Sequence, residues 1–163
     1  MSCRSASVSQ GSPCAEGGEQ TAPDRPRLGT TADRPAQPAP LSAYDRIGGA
    51  DGIRRLTRRF YALMDSLPEA AACRAVHPPS LERAEQRLFE YLSGWLGGPP
   101  LFVERHGAPM LRRRHFSARI STPEVEGWLL CFLRAWDDTV EDRALGEAVL
   151  PQVEALAHHM RNA

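Results

Sequence analysis

The stretch Ser121-Thr122-Pro123-Glu124-Val125-Glu126-Gly127-Trp128-Leu129-Leu130-Cys131-Phe132-Leu133-Arg134-Ala135-Trp136 decides the fold class. Ser121 and Glu124 have the spacing of a capping box, with proline in the first turn, which marks a helix start. Behind it Val125, Trp128, Leu129, Phe132 and Trp136 recur at threes and fours, the apolar stripe of a helix with one buried face. The same period returns on both sides. Upstream, the Gly48-Gly49 turn leads into Ile53, Leu56, Phe60, Leu63 and Leu67, with Arg54, Arg55, Arg58 and Arg59 on the wet side and Pro68 at the end. Leu81, Ala84, Leu88, Tyr91, Leu92 and Trp95 form another stripe, stopped by Gly97-Gly98-Pro99-Pro100. Residues 101–120 are less regular, and predict a short helix over Phe102–His106, a break at Gly107-Ala108-Pro109 and a further turn of helix over Met110–Phe116. Downstream, Leu145, Val149, Val153, Leu156 and Met160 make the last stripe. Pro151 interrupts it, and a kink or a restarted helix fits equally. No segment alternates as a strand does, so the class is all-α.

The rest of the chain sets bounds. It has 163 residues, 42% hydrophobic and 25% charged, with 20 basic residues against 20 acidic ones. Every basic residue is arginine. A zero net charge argues against a general nucleic-acid or membrane-surface binder, whose footprint is a basic excess. There is no apolar run of roughly 18 residues to span a membrane and no apolar stretch near Met1 to serve as a secretory signal. Cys3, Cys14, Cys73 and Cys131 form no CxxC pair, so the expectation is a soluble cytoplasmic protein with reduced thiols. Residues 1–40 hold 6 of the 14 prolines and none of the 11 aromatic residues. Such a Pro/Ser/Gly/Ala-rich leader has too little apolar surface to offset the entropy of ordering, and it is expected to be disordered. The folded domain then runs over 41–163.

The absence of GxSxG, P-loop, HExxH and GxGxxG patterns leaves no ordinary hydrolase or nucleotide enzyme. The acidic residues are expected mainly on wet helix faces. Among five histidines, His115 stands out, because Arg112, Arg113 and Arg114 precede it and Phe116 follows. A neutral imidazole is an axial ligand for haem iron, and nearby guanidinium groups pair with carboxylates in a bidentate fork. On spacing alone an exposed histidine in a basic surface turn is the favoured reading, because a single histidine is a weak signal. A zinc site is disfavoured, since no second His or Cys lies at ligand spacing.

Taken together, Leu96-Gly97-Gly98-Pro99-Pro100, His106-Gly107-Ala108-Pro109-Met110-Leu111-Arg112-Arg113-Arg114-His115 and Trp128-Leu129-Leu130-Cys131 closely resemble the group II truncated haemoglobins. Arg59-Phe60-Tyr61 and His77-Pro78 match that family in order and approximate spacing. The resemblance covers residues 43 to 161 and implies a 2-on-2 helical sandwich around haem b (iron protoporphyrin). It places His115 at the proximal position, ligating iron through Nε2, and sets Arg114, Arg112 and Arg87 towards the haem propionates. Leu88, Met110 and Leu111 would touch the porphyrin. Trp128 falls where the family's tryptophan points its indole N–H at the ligand, Tyr61 at the distal tyrosine position and His77 at a neighbouring turn. Ala84 falls at a gate position, where a small side chain leaves a route to the iron. Two departures flank the proximal side: Gly107-Ala108-Pro109 stands where the family usually has Gly-His-Pro, and Ser117-Ala118 where it often has Pro-Phe.

Each residue also has a plainer reading. Trp128 fits as core on an amphipathic stripe, Tyr61 as a hydroxyl bonded to a backbone carbonyl, and Leu88 and Ala84 as packing residues. As chemistry, Phe60, Leu88, Tyr91, Leu92, Met110, Leu111, Trp128 and Phe132 would enclose a flat apolar cofactor. The function implied is reversible binding of oxygen, with carbon monoxide and nitric oxide as further ligands. The alternative is a haem-dependent redox enzyme, dioxygenating nitric oxide or reducing peroxide, with electrons from a separate reductase. A haem-free helical interaction module is the third reading. No nucleic-acid or membrane partner is expected, and the state is monomer or homodimer.

Overall fold

The computed structural model describes residues 39–163. The leader expected over 1–40 lies, but for its last two residues, outside them. Among the described residues every regular element is helical: α1 Ala43–Arg46, α2 Gly49–Ser66, a 3-10 turn Pro68–Ala70, α3 Ala71–Ala75, α4 Glu82–Trp95, α5 Leu101–His106, α6 Leu111–Arg114, α7 Thr122–Thr139 and α8 Arg143–His159. None of these helices is long and apolar enough to cross a membrane.

The predicted punctuation explains most of these bounds. Gly48 and Gly49 both have positive φ, 95° and 62°, which lets α1 turn into α2 without a Cβ penalty. Gly52 then lets the first turn of α2 lie against the Ile47 carbonyl, because a Cβ there would sit 1.8 Å from that oxygen. Glu124 accepts hydrogen bonds from the Ser121 N–H (2.7 Å) and the Ser121 hydroxyl, which closes the start of α7. Asp142 caps α8 by accepting from Leu145 N–H at 2.9 Å, and its carboxylate is also gripped by Arg46 from α1 at 2.7 and 2.9 Å.

Two segments differ in detail from the sequence reading. The turn after Pro109 is shorter than Met110–Phe116, because Met110 adopts positive φ (39°) and α6 is confined to Leu111–Arg114. Of the two alternatives at Pro151, no restart occurs. Helix α8 runs through it, with Pro151 exposed, so the missing N–H costs the core nothing.

Helix α2 packs mainly on α7 and α4, while α3 and α8 lie against α7. The main core is built from Ile53, Leu56, Phe60, Met64, Leu92, Phe132, Trp136, Leu145 and their neighbours, all buried. A smaller cluster of Ile120, Val125, Leu129 and Ala157 sits at the start of α7. Trp128 packs against both clusters, so its ring is placed where the two meet.

Candidate functional site

His115 follows the last residue of α6 and caps that helix. Its backbone N–H reaches the carbonyls of Leu111 and Arg112, and its ring Nδ1 lies 2.7 Å from the Leu111 carbonyl. A carbonyl only accepts, so Nδ1 carries a proton. That leaves the Nε2 lone pair free in the neutral ring, and the Nδ1–H bond to a carbonyl raises its basicity as a ligand. The ring is exposed, beside Met110 (53% exposed) and Phe116 (61% exposed). Exposed apolar residues that flank a histidine in the chain are what a large flat apolar ligand would cover.

The distal candidates come from α2, α7 and the turn after α3. Tyr61 is buried at the edge of the core, with its ring 4.7 Å from Phe60 and 6.1 Å from His77, both edge to face. Among the described residues its hydroxyl makes no hydrogen bond, so bonding to a backbone carbonyl is not its role. Burial pushes its pKa up, with Cys73 and Glu85 adding to the effect, so the hydroxyl stays protonated as a donor. His77 is half-buried and bonded through Nδ1 to the Cys73 carbonyl at 2.8 Å. Burial lowers its pKa, with the charges of Arg74 and His115 acting in the same sense and the bond to Cys73 opposing them. The two histidines therefore lie within electrostatic reach of each other, and both direct Nε2 away from a carbonyl-bound Nδ1.

Trp128 is half-buried, stacked on Phe132 at 5.1 Å and tilted against Phe60 at 5.1 Å. Its ring body is thus core, as the plainer reading has it, but among the described residues its indole N–H has no protein acceptor. Leu88, Ala84, Tyr91 and Leu111 are also half-buried. Phe60, Leu92 and Phe132 are instead covered on all sides by protein, so of the expected apolar enclosure these three back the site and do not line it.

The arginines divide by what already holds them. Arg87 is exposed. Arg112 reaches the His159 carbonyl at 3.3 Å. Arg114 donates from Nε to the Pro109 carbonyl (2.8 Å) and from Nη2 to those of His106 (2.7 Å) and Ala108 (3.3 Å), with its guanidinium over the Phe102 ring. It therefore staples the loop that carries Gly107-Ala108-Pro109, and its Nη1 side remains open.

Glu90 escapes the sequence reading. It lies on α4 with its side chain only 3% exposed, not on a wet face, and bonds Gln86, Arg105 and His106 Nε2. Burial alone would raise its pKa, but the hydrogen bonds from Gln86, His106 and Arg105 and the Arg105 charge hold it below the ordinary carboxylate value. Glu90 lies off the Leu88, Tyr91, Leu92 and Trp95 stripe, with Gln86, Arg87, Ser93 and Gly94 as its helical neighbours, so no apolar period singles it out.

Among the described residues no three His, Cys, Asp or Glu side chains converge on a metal-sized space. The donor set at His115 is one imidazole, which suits a metal whose other ligands come from a porphyrin. The bared apolar surface, the free Nε2 and the unpartnered Tyr61 and Trp128 donors together fit haem.

Comparison with known proteins gives the family. The model of the bacterial-like globin family matches residues 42–162. Group 2 truncated haemoglobin YjbI of Bacillus subtilis (strain 168) is 32% identical over 119 residues, covering 73% of this chain and 87% of the relative. The group II 2-on-2 haemoglobin of the plant pathogen Agrobacterium tumefaciens superposes with a TM-score of 0.75 at 55% identity, over 76% of this chain and 96% of that one. A truncated oxygen-avid haemoglobin from Bacillus subtilis superposes with a TM-score of 0.68 at 31% identity, over 75% of this chain and all of that one (100%). The chain belongs to the bacterial-like globin family, and within it to the 2-on-2 truncated haemoglobins of group II.

Proposed function

We propose that this protein binds haem b through His115 and holds oxygen reversibly at the opposite face, under hydrogen bonds from Trp128 and Tyr61. The observation that carries the reading is the pairing of a carbonyl-anchored His115, its Nε2 free, with the Trp128 N–H and Tyr61 O–H, which have no acceptor among the described residues. When bound, haem supplies an iron centre that takes a diatomic ligand. Everything else falls to the chain.

His115 would supply the nitrogen that holds the iron, and the Leu111 carbonyl fixes its tautomer. Leu88, Tyr91, Met110 and Leu111 present apolar surface to the porphyrin, worth roughly 25 cal/mol per Å² covered. Arg112, Arg87 and the open edge of Arg114 supply charge for the propionates. On the distal side, Trp128 N–H can only donate and Tyr61 O–H is held protonated, so both act as donors towards a ligand that gathers negative charge. His77, neutral at ordinary pH because its pKa is lowered, adds an acceptor or a tautomeric donor beside Tyr61. In surroundings poor in water each such bond is stronger than in bulk. Half-buried Ala84 leaves a small side chain at the entry. The oxygen avidity named for the Bacillus subtilis relative supports the same reading.

The test is the absorption spectrum of the haem-loaded chain in ferric, reduced and carbon monoxide forms, beside His115→Ala. The expected result is a Soret band that moves on reduction and again with carbon monoxide, and that His115→Ala weakens or displaces. Absence of stoichiometric haem uptake, or a spectrum indifferent to His115, would overturn the reading.

A further inference from the structure

We infer that Asn162 is a positioning residue for His115, an inference that rests on His115 being the iron ligand. Between α6 and α7 the N–H groups of His115 and Phe116 still reach the carbonyls of α6, but beyond them the chain has no regular structure, and the backbone groups of Ala118 and Ile120 need other partners. Asn162, just beyond the end of α8, supplies much of what is missing. Its Nδ2 donates to the His115 carbonyl at 3.1 Å and to the Ala118 carbonyl at 3.0 Å, and its Oδ1 accepts from Ile120 N–H at 2.9 Å. The backbone N–H groups of Asn162 and Ala163 both reach the Ile120 carbonyl, at 2.9 and 3.1 Å. The side-chain amide admits one orientation only, because the flipped one would set an oxygen against two carbonyls and an NH2 against an N–H.

The clasp acts on the ligand residue itself. On one side, the ring and backbone N–H of His115 are tied to the end of α6. On the other, its carbonyl takes Asn162 Nδ2 and Ala118 N–H. The backbone of His115 is thereby held at both peptide planes, and the ring, already anchored at Nδ1, keeps one direction. With a single protein ligand to the metal, that direction sets the strength of the bond. Asparagine is suited to this by chemistry. Aspartate keeps the acceptor for Ile120 and loses both donors, alanine loses all three bonds, and glutamine moves the amide by one methylene.

The experiment uses the haem-loaded full chain and three variants: Asn162→Ala, Asn162→Asp and His115→Ala. Amide hydrogen exchange reads the clasp, and the iron–histidine stretching band of the reduced protein together with the rate of haem loss reads the ligand. In Asn162→Ala the Ile120 amide should exchange about three- to tenfold faster, the span of one hydrogen bond, the band should shift or broaden, and haem should leave about three- to tenfold faster. In Asn162→Asp the Ile120 amide should keep its protection while the band still moves, which a merely structural role for Asn162 would not produce. This variant also serves if Asn162→Ala does not fold. A band at the wild-type position in the asparagine variants, with haem loss within about twofold, overturns the inference, provided that His115→Ala abolishes the band. A band that survives in His115→Ala overturns the ligand reading instead, and the positioning role falls with it.

Discussion

The indole of Trp128 lies nearly parallel to the ring of Phe132, with 11° between planes and centroids 5.1 Å apart. Phe132 is buried in the main core, so this stack fixes the rotation of the tryptophan from behind while its N–H has no partner among the described residues. Packing energy and ligand chemistry are thus carried by opposite edges of one side chain. Trp128→Leu should retain most of the packing and lose the donor. With about 1.5–3 kcal/mol at stake for a hydrogen bond to a charge-bearing ligand, the oxygen off-rate should rise by about one to two orders of magnitude. Stopped-flow displacement by carbon monoxide measures it, and a rate within twofold of wild type would remove Trp128 from the distal role.

Tyr61→Phe separates a core tyrosine from a donor. The hydroxyl has no protein partner among the described residues, so its removal should change unfolding stability by no more than about 0.5 kcal/mol. Ligand release should nevertheless quicken. A large loss of stability with unchanged release would mean that the hydroxyl serves the core.

Glu90 offers a pH test. Its carboxyl is held below its ordinary value of 4.5 by hydrogen bonds and by Arg105, against the opposing effect of burial. A depressed acid stabilises the fold fully above that ordinary value, and the contribution is lost as pH falls through the lower, native one. Glu90→Gln should therefore cost about 1–3 kcal/mol at neutral pH. Arg105 is 55% exposed and partly satisfied by water, which favours the lower end. Chemical denaturation across acid pH should show the gap between variant and wild type closing below about 4.5. A gap independent of pH would exclude the ionised carboxylate as its cause.

Gly52→Ala should destabilise, against the usual benefit of alanine in a helix. That benefit is about 1 kcal/mol. The added Cβ would sit 1.8 Å from the Ile47 carbonyl oxygen, a backbone atom that cannot rotate away, and overpacking of this kind costs about 1–3 kcal/mol or more. A net loss of up to about 2 kcal/mol in thermal or urea unfolding is expected, and a stabilised variant would show that the α1–α2 turn yields freely.

The helices were legible because their signals are local. The stripe from Val125 to Trp136 and the Ser121–Glu124 spacing give α7, and the Gly48-Gly49 and Gly97–Pro100 breaks bound its neighbours. Residues 107–120 resisted the same treatment. Met110 takes a left-handed conformation that no propensity favours, and the loop around it is held by Arg114 from within and by Asn162 from 47 residues beyond His115. His115, Tyr61 and Trp128 were reached through resemblance to a family, since one histidine and two aromatics on apolar stripes carry little spacing information. What the sequence could not show was which polar edges would be left without partners. Glu90 was misplaced for a related reason: a carboxylate reads as wet until Arg105 and His106, 15 and 16 residues on, are seen to neutralise it.

The grip of Arg46 on Asp142 spans 96 residues. Its consequence lies in the order of folding. A contact of that separation is closed only after the intervening helices have shortened the path between its ends. The expectation is a pair that closes after the folding transition state, so that Asp142→Asn leaves the refolding rate nearly unchanged while hastening unfolding; slowed refolding would instead place the contact in the nucleus. On that expectation, and since the same carboxylate caps α8, Asp142 would lend the fold chiefly lifetime, as a latch that engages last and lets go first.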